Sequence, residues 1–244
     1  MSSSATIALI TGANKGIGLA TARQLGTQGI HVLVGARDTE RGETAVAQLQ
    51  NEGIHAEFLL IDLTQPTTIT AAAQTIDERH GKLDILINNA GVALWHRAAP
   101  LEQLDLAVLR IIYETNVFGT VAVTQAMLPL LRRATAGRIV NLTSTLGSFG
   151  SLTTPDSPYG ELALFGYPSS KTALNAFTLF IARELQGTSI KINAACPGYV
   201  ATDHNGGEGY RTPEQGAEIV VRLATLDTNG PTGGFFDESG PLPW

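Results

Sequence analysis

Two kinds of apolar pattern alternate along the chain from one end to the other. Short runs, nearly continuous in apolar and β-branched residues, are each followed by a stretch with helical periodicity. Thr6–Thr11, His31–Ala36, Glu57–Leu63, Leu83–Asn88, Arg138–Leu142 and Ile190–Ala195 predict six strands, and Gly233–Phe236 predicts a short seventh. Gly16–Gln28, Glu40–Glu52, Pro66–His80, Leu101–Arg133, Tyr167–Leu185 and Pro213–Leu226 predict the helices between them. Gly53 and Gly81 stand where helices should stop, and Thr64 followed by Pro66 reads as a capping residue with proline in the first turn. Strands that are apolar throughout need cover on both faces. The pattern therefore predicts a seven-stranded parallel sheet with helices on both faces, a doubly wound α/β fold in one domain over residues 1–244. The stretch 147–166, rich in Gly, Ser, Thr and Pro, breaks the rhythm, and a loop of that length in a compact domain is usually functional.

Composition narrows the class. Of 244 residues, 43% are hydrophobic and 16% charged, enough for a large buried core. The net charge is −6 and no Lys/Arg run stands out, which argues against nucleic acid as a partner. The single cysteine, Cys196, forms no intrachain disulfide and reads as a small buried hydrophobe, so the expected compartment is the reducing cytoplasm. No stretch approaches ~18 continuous apolar residues and Met1–Ser4 is polar, so no membrane partner is expected. The Asn141-Leu142-Thr143 sequon falls in a predicted buried strand and reads as chance. No His/Cys/Asp/Glu group has metal-ligand spacing along the chain, and no catalytic metal is expected.

The first strand runs into Thr11-Gly12-Ala13-Asn14-Lys15-Gly16-Ile17-Gly18. Glycines there let backbone approach a pyrophosphate, and a helix N-terminus supplies free N–H groups for phosphate. The spacing, Gly-x-x-x-Gly-x-Gly after Thr, resembles the short-chain dehydrogenase/reductase family, and within it the carbonyl reductases. The likeness runs from about Thr6 to about Phe236. It implies a Rossmann fold whose turn, through Gly12, Asn14, Lys15, Gly16, Ile17 and Gly18, holds a nicotinamide dinucleotide. An NAD site ends its second strand with an acid. Here that position is Ala36, Arg37 follows, Lys15 lies in the glycine turn and Arg41 one helical turn beyond Arg37, a set of cations that favours NADP(H). The other reading leaves Arg37 and Arg41 as surface charges and gives the ribose to Asp38. The resemblance further implies that Asp62 and Leu63 border the adenine and that Asn89, Ala90 and Gly91 line the ribose side. By the same likeness Pro197 and Gly198 shape a turn from which the Val200 N–H and the Thr202 hydroxyl meet the carboxamide.

Carbonyl reduction needs a hydride and a proton. Tyr167 and Lys171, at i and i+4 in Tyr-Pro-Ser-Ser-Lys, place a phenol and an ammonium on one helix face. A nearby Lys⁺ favours the phenolate and should lower the Tyr167 pKa. By resemblance, Ser144 hydrogen-bonds the substrate carbonyl, with Thr143 its neighbouring rival. Asn116 joins a proton relay to Lys171 through water, and Lys171 also reaches the nicotinamide ribose. The implied activity is NADPH-dependent reduction of a ketone or aldehyde. A redox-sensing regulator that binds NADP(H) without chemistry is the main alternative, and a sugar-nucleotide epimerase or dehydratase on a related fold is a third. Ser144 and Tyr167 are 23 positions apart, farther than in most of the family. The excess falls in 147–166 and leaves homodimer and monomer both open. Substrate loops are expected at about 92–100, 145–166 and 199–212, with Asp203–Gly209 a lid, Trp95 and His96 a wall or a surface anchor, and the Gly240–Trp244 tail docked on an unspecified surface.

Overall fold

The structure, a computed structural model, describes residues 5–155, 157 and 164–244. Its sheet is built from β1 (Ile7–Thr11), β2 (His31–Ala36), β3 (Ala56–Leu60), β4 (Ile85–Asn88), β5 (Arg138–Leu142), β6 (Lys191–Ala195), β7 (Phe235–Asp237) and β8 (Gly240–Pro241). The spatial order is β3-β2-β1-β4-β5-β6-β7-β8. All pairings are parallel except β7 with β8. The helices are α1 (Gly16–Gly26), α2 (Thr39–Asn51), α3 (Pro66–His80), α4 (Leu106–Tyr113), α5 (Thr120–Leu131), α6 (Phe149–Leu152), α7 (Gly166–Glu184) and α8 (Pro213–Ala224).

The apolar strands divide their side chains between two cores. From β1, Ala8 and Ile10 join a cluster with α1, α2 and α8, while Ile7 and Leu9 join one with α3, α5 and α7. Leu9 sits between Leu33 and Leu86 in register, so each strand adds to both layers. Each fully buried Leu or Ile contributes roughly 1.5–3 kcal/mol of hydrophobic stabilisation, which is why near-continuous apolar runs select this sandwich.

Four expectations change. The predicted seventh strand is the first arm of a hairpin, and the eighth, only two residues long and ending in Pro241, carries too little pattern to be read from sequence. The third strand ends at Leu60, not Leu63. Ile61 N still donates to Ala36 O, but Asp62 then takes the Thr64 N–H at 2.9 Å and turns the chain. Thr64 is thereby used, and Gln65 occupies the cap position of α3 without a side-chain bond. The long helix predicted over Leu101–Arg133 begins instead with a 3-10 turn, Leu101–Gln103. Asp105 then caps α4 through the Ala107 N–H, and a π-helical turn, Glu114–Gly119, separates α4 from α5. Leu106–Leu131 nevertheless has the length and apolar content of a membrane span. In this fold α5 packs against α3, and Val123, Met127, Leu130 and Leu131 are buried.

Of the stretch 147–166, the part before Ser157 forms a 3-10 turn at Thr145–Gly147 and the short α6. Residues 156 and 158–163 lie outside the described residues. The tail docks beside this segment. Trp244 stacks on Phe235 at 5.6 Å, its carbonyl accepts from Gly150 N at 2.7 Å, and Ser148 Oγ donates to Pro243 O at 2.7 Å.

Arg138 opens β5 and is 3% exposed. Its guanidinium donates to the carbonyls of Leu226 and Asp227, just past α8, at 2.7–2.9 Å, and to Gly137 O at 2.8 Å. Replacing it strands those carbonyls, so Arg138→Met should cost about 2–3 kcal/mol in urea unfolding. A loss below about 1 kcal/mol would show that water satisfies them equally well.

Candidate active site

The glycine turn closes on the end of β4. Gly12 and Gly16 have φ of 65° and 55°, a region that disfavours any side chain. A Cβ on Gly18 would sit 2.5 Å from Gly12 O and 2.6 Å from Asn89 Nδ2. Asn89 braces the turn itself. Its Nδ2 donates to Thr11 O at 2.8 Å and Gly12 O at 3.1 Å, while Thr11 Oγ1 accepts from the Asn89 and Ala90 N–H groups at 3.1 Å. The start of α1, at Lys15, carries no side-chain cap. Its leading N–H groups, with Gly16, Ile17 and Gly18, are therefore available to an anion.

The end of β2 places its charges apart. Arg37 is exposed and makes no hydrogen bond or ion pair among the described residues. Asp38 is committed elsewhere: its carboxylate caps α2 by accepting from Arg41 N at 3.0 Å. Arg41 Nε lies 3.8 Å from that carboxylate. Lys15 is also paired, with Asp203 at 2.7 Å, and that ammonium holds the Asp203 carboxyl below its usual range. Asp62 is held by the Thr64 N–H and hydroxyl, and Leu63 is buried against Gly119. Asn14 lies in the turn ahead of α1, partly buried.

The predicted catalytic residues converge. Ser144 follows β5 and is partly exposed, its Oγ accepting from Leu146 N at 3.2 Å. Thr143 is 2% exposed with its hydroxyl enclosed, so of the two only Ser144 faces the site. Lys171 is 5% exposed and its Nζ donates to Leu142 O at 2.7 Å. Its ammonium lies 5.4 Å from the Tyr167 ring centroid, so phenol and ammonium do share one face of α7. The π turn delivers Asn116, fully buried, toward α7. Its Oδ1 accepts from Val92 N at 2.8 Å, and its Nδ2 donates to Val92 O at 2.8 Å and Ser170 Oγ at 3.0 Å. A Cβ on Gly91 would lie 3.2 Å from Asn116 Oδ1 and 3.7 Å from Lys171 Nζ, so the two residues flank Gly91 with no direct bond between them. The Asn116 side chain clamps the loop after β4 to α7.

One electrostatic expectation is reversed. Burial pushes the Tyr167 phenol up, and the Cys196 thiol adds in the same direction. Burial lowers Lys171 to about 8, partly opposed by Cys196. Cys196 itself is buried and raised, an inert thiol.

The segment after β6 returns to the glycine turn. Gly198 has φ of 79°, Val200 is buried and bridges to Arg211, and the Thr202 methyl would meet a Cβ on Gly16 at 3.4 Å. Pro197 is partly buried beside it. Thr202 N donates to Asn205 Oδ1 at 3.1 Å, anchoring the 3-10 turn Asp203–Asn205.

Two residues that sequence reading left undecided roof the phenol. Trp95 packs on Tyr167 at 4.9 Å between ring centroids, and His204 packs edge-on at 5.3 Å. His96 is exposed and takes no part. Trp95 is carried by Leu94, the only described non-glycine residue with positive φ, at 54°. Such strain persists only where the surroundings enforce it and clusters at ligand sites. The sequence left Trp95 between wall and surface anchor and placed His204 only within the Asp203–Gly209 lid, because their common partner is on α7.

His204 gives the roof a pH dependence. The residue is exposed overall but its ring lies against Trp95 and Tyr167, and partial burial, then the Lys171 and Lys15 cations, lower its pKa to about 4. Opened, the ring should titrate near ~6.5. The open form therefore binds more protons between those values, and falling pH destabilises closure through that window. Trp fluorescence should report roof opening on acidification from pH 7 toward 4, and His204→Gln should flatten the profile. An unchanged profile in that variant would assign the transition to another group.

Comparison with known proteins agrees with this geometry. The family model for short chain dehydrogenases matches residues 6–211. A short-chain dehydrogenase of Penicillium roqueforti is 42% identical over 227 residues, covering 90% of this chain and 88% of that one. NADPH carbonyl reductase 1 of Mus musculus is 36% identical over the full length of both chains. Among solved structures, the NADPH-bound carbonyl reductase from chicken fatty liver superposes with a TM-score of 0.85 at 28% identity, covering 98% of this chain and 99% of that one. A fold continuous with these enzymes, and a family match over most of its length, leave one assignment: the chain belongs to the short-chain dehydrogenase family.

Proposed function

We propose that this protein reduces ketone or aldehyde carbonyls with NADPH, with Tyr167 as proton donor. The observation that carries this reading is the Tyr167–Lys171 pair, its ammonium held by the carbonyl of Leu142 two residues before Ser144, together with a glycine turn whose helix N-terminus is uncapped. The turn fits a dinucleotide, since Gly12 and Gly16 take conformations, and Gly18 a contact, that leave no room for side chains. NADPH carbonyl reductases among the relatives support the choice of cofactor.

Gly12 to Gly18 and the N-terminus of α1 would hold the pyrophosphate, and Arg37, unpaired among the described residues, the 2′-phosphate. Lys15 joins them by exchanging Asp203 for phosphate. Asn89, Ala90 and Gly91 would border the ribose, and Pro197 to Thr202 the carboxamide end. When bound, the cofactor supplies the hydride. Ser144 Oγ orients and polarises the carbonyl. The raised phenol keeps its proton at neutral pH, the state a reductase starts from, and donates it as alkoxide character develops. Lys171, a buried cation held by Leu142 O, stabilises the phenolate left behind. Asn116 holds the Gly91–Val92 loop against α7. Trp95, Leu94, Leu109, Ile112 and Phe165 line an apolar pocket beside Tyr167, which favours apolar carbonyl compounds.

Loss of NADPH absorbance with a panel of apolar ketones and aldehydes tests the reading. Tyr167→Phe should cut turnover by about 10²–10⁴-fold while leaving NADPH affinity near the parent value. Turnover at the parent rate would remove Tyr167 as donor, and no turnover by the parent on any carbonyl would favour a cofactor-binding regulator. Arg37→Asp should weaken NADPH by roughly 10–100-fold and leave NADH nearly unchanged. A parent that prefers NADH would exclude the phosphate role.

A further inference from the structure

Three of the five histidines in the chain gather at the edge of the sheet opposite the candidate active site. Parallel strands put the glycine turn, Asn89 and Ser144 at their C-terminal ends. His31 is the first residue of β2, and His55 immediately precedes β3. His80 is the last residue of α3, and Glu57 lies on β3 beside them.

The side chains converge on one point. His31 Nε2 lies 3.0 Å from Glu57 Oε1, and His80 Nε2 lies 3.9 Å from the same oxygen. One ligand atom from each of the three lies within 4.8 Å of the others. A tetrahedral Zn²⁺ with bonds of ~2.0–2.2 Å sets its ligands roughly 3.3–3.6 Å apart, so small side-chain rotations suffice. His31 Nε2 is enclosed and has no aligned hydrogen-bond partner, despite the nearby carboxylate. Arg79 holds the other Glu57 oxygen at 3.0 Å and orients the carboxylate toward the histidines.

We propose that His31 Nε2, His80 Nε2 and Glu57 Oε1 form a binding site for a divalent transition cation of the zinc class, with water in the fourth position. Two imidazoles and one carboxylate suit Zn²⁺, Co²⁺ or Ni²⁺ and disfavour Mg²⁺ and Ca²⁺, which take oxygen ligands. The ion would tie the start of β2 to β3 and to the end of α3, elements brought together only by folding. Its role is structural, and it stands independently of the proposed reduction. Positions 31, 57 and 80 have no local spacing that sequence could flag.

The test uses the full chain, dialysed against chelator, and two titrations. Stoichiometric Co²⁺ should give visible d–d bands of a low-coordinate site, displaced by Zn²⁺. Zn²⁺ at about a hundredfold over its Kd should raise the Tm by roughly 5–10 °C, with Mg²⁺ inert. His80→Gln, at the end of a helix, and the near-isosteric Glu57→Gln should each weaken Co²⁺ binding at least tenfold and abolish the Tm response. Far-UV circular dichroism and thermal unfolding of the metal-free variants show that each is folded. Absence of Co²⁺ bands in the parent protein overturns the proposal without any variant. So does a Zn²⁺ response that both variants retain, since the ion would then bind elsewhere.

Discussion

The contact on which the rest of the molecule depends joins the end of β1 to the end of β4. Here the strand order reverses, with β2 and β3 on one side and β5 to β7 on the other, and a crevice must open. Thr11 and Asn89 close its floor through four hydrogen bonds shared between two strand ends. That brace satisfies Thr11 and Gly12 carbonyls that the turn would otherwise leave unpaired, and it holds Gly12 against Ala90. The uncapped start of α1 and the loop carrying Gly91 and Val92 are both referenced to it. A dinucleotide crevice in this fold is thus set by a polar lock between two strands as much as by the glycines that line it.

A second constraint passes through helices. Asn116 reaches Val92 and Ser170 only because the helix widens into a π turn between α4 and α5. It links the β4 loop to the turn of α7 that presents Tyr167. Beneath it, Asn88 bonds Asn141 and Thr124, and Asn141 bonds Thr178, a buried polar chain across β4 and β5 to α5 and α7. Buried hydrogen bonds of this kind specify one arrangement, although Asn88 Oδ1 is left without a partner among the described residues. The same burial explains the electrostatics: removed from water, Tyr167 keeps its proton more firmly and Lys171 less firmly.

Much of this was legible along the chain. Near-continuous apolar strands, glycine stops and Pro66 in a first turn are local signals, and they located the strands, most helices and the doubly wound architecture. The glycine turn, Tyr167 and Lys171 carried their chemistry in short spacing, and Ser144 was separable from Thr143 once burial was known. The misses have non-local causes. The break in the predicted Leu101–Arg133 helix follows from packing that draws Asn116 inward, not from a breaker residue. Thr64 is the local exception, since Asp62, two residues earlier, accepts its N–H and hydroxyl and leaves Gln65 in the cap position. The upward shift of Tyr167 was not legible, because i, i+4 spacing gives a shared face but not the desolvation that raises the phenol.

Sequence alone therefore determined what each segment is: strand, helix, glycine turn, or bearer of a phenol and an ammonium on one helix face. These depend on periodicity and on residue chemistry within a few positions. Tertiary structure decided which groups share a site and in what electrostatic state. The roof of Trp95 and His204 over Tyr167, the docking of Trp244 on Phe235, the Lys15–Asp203 pair and the meeting of His31, Glu57 and His80 each join residues distant in the chain. Their physics is that of contact and burial, which exist only after the sheet has assembled.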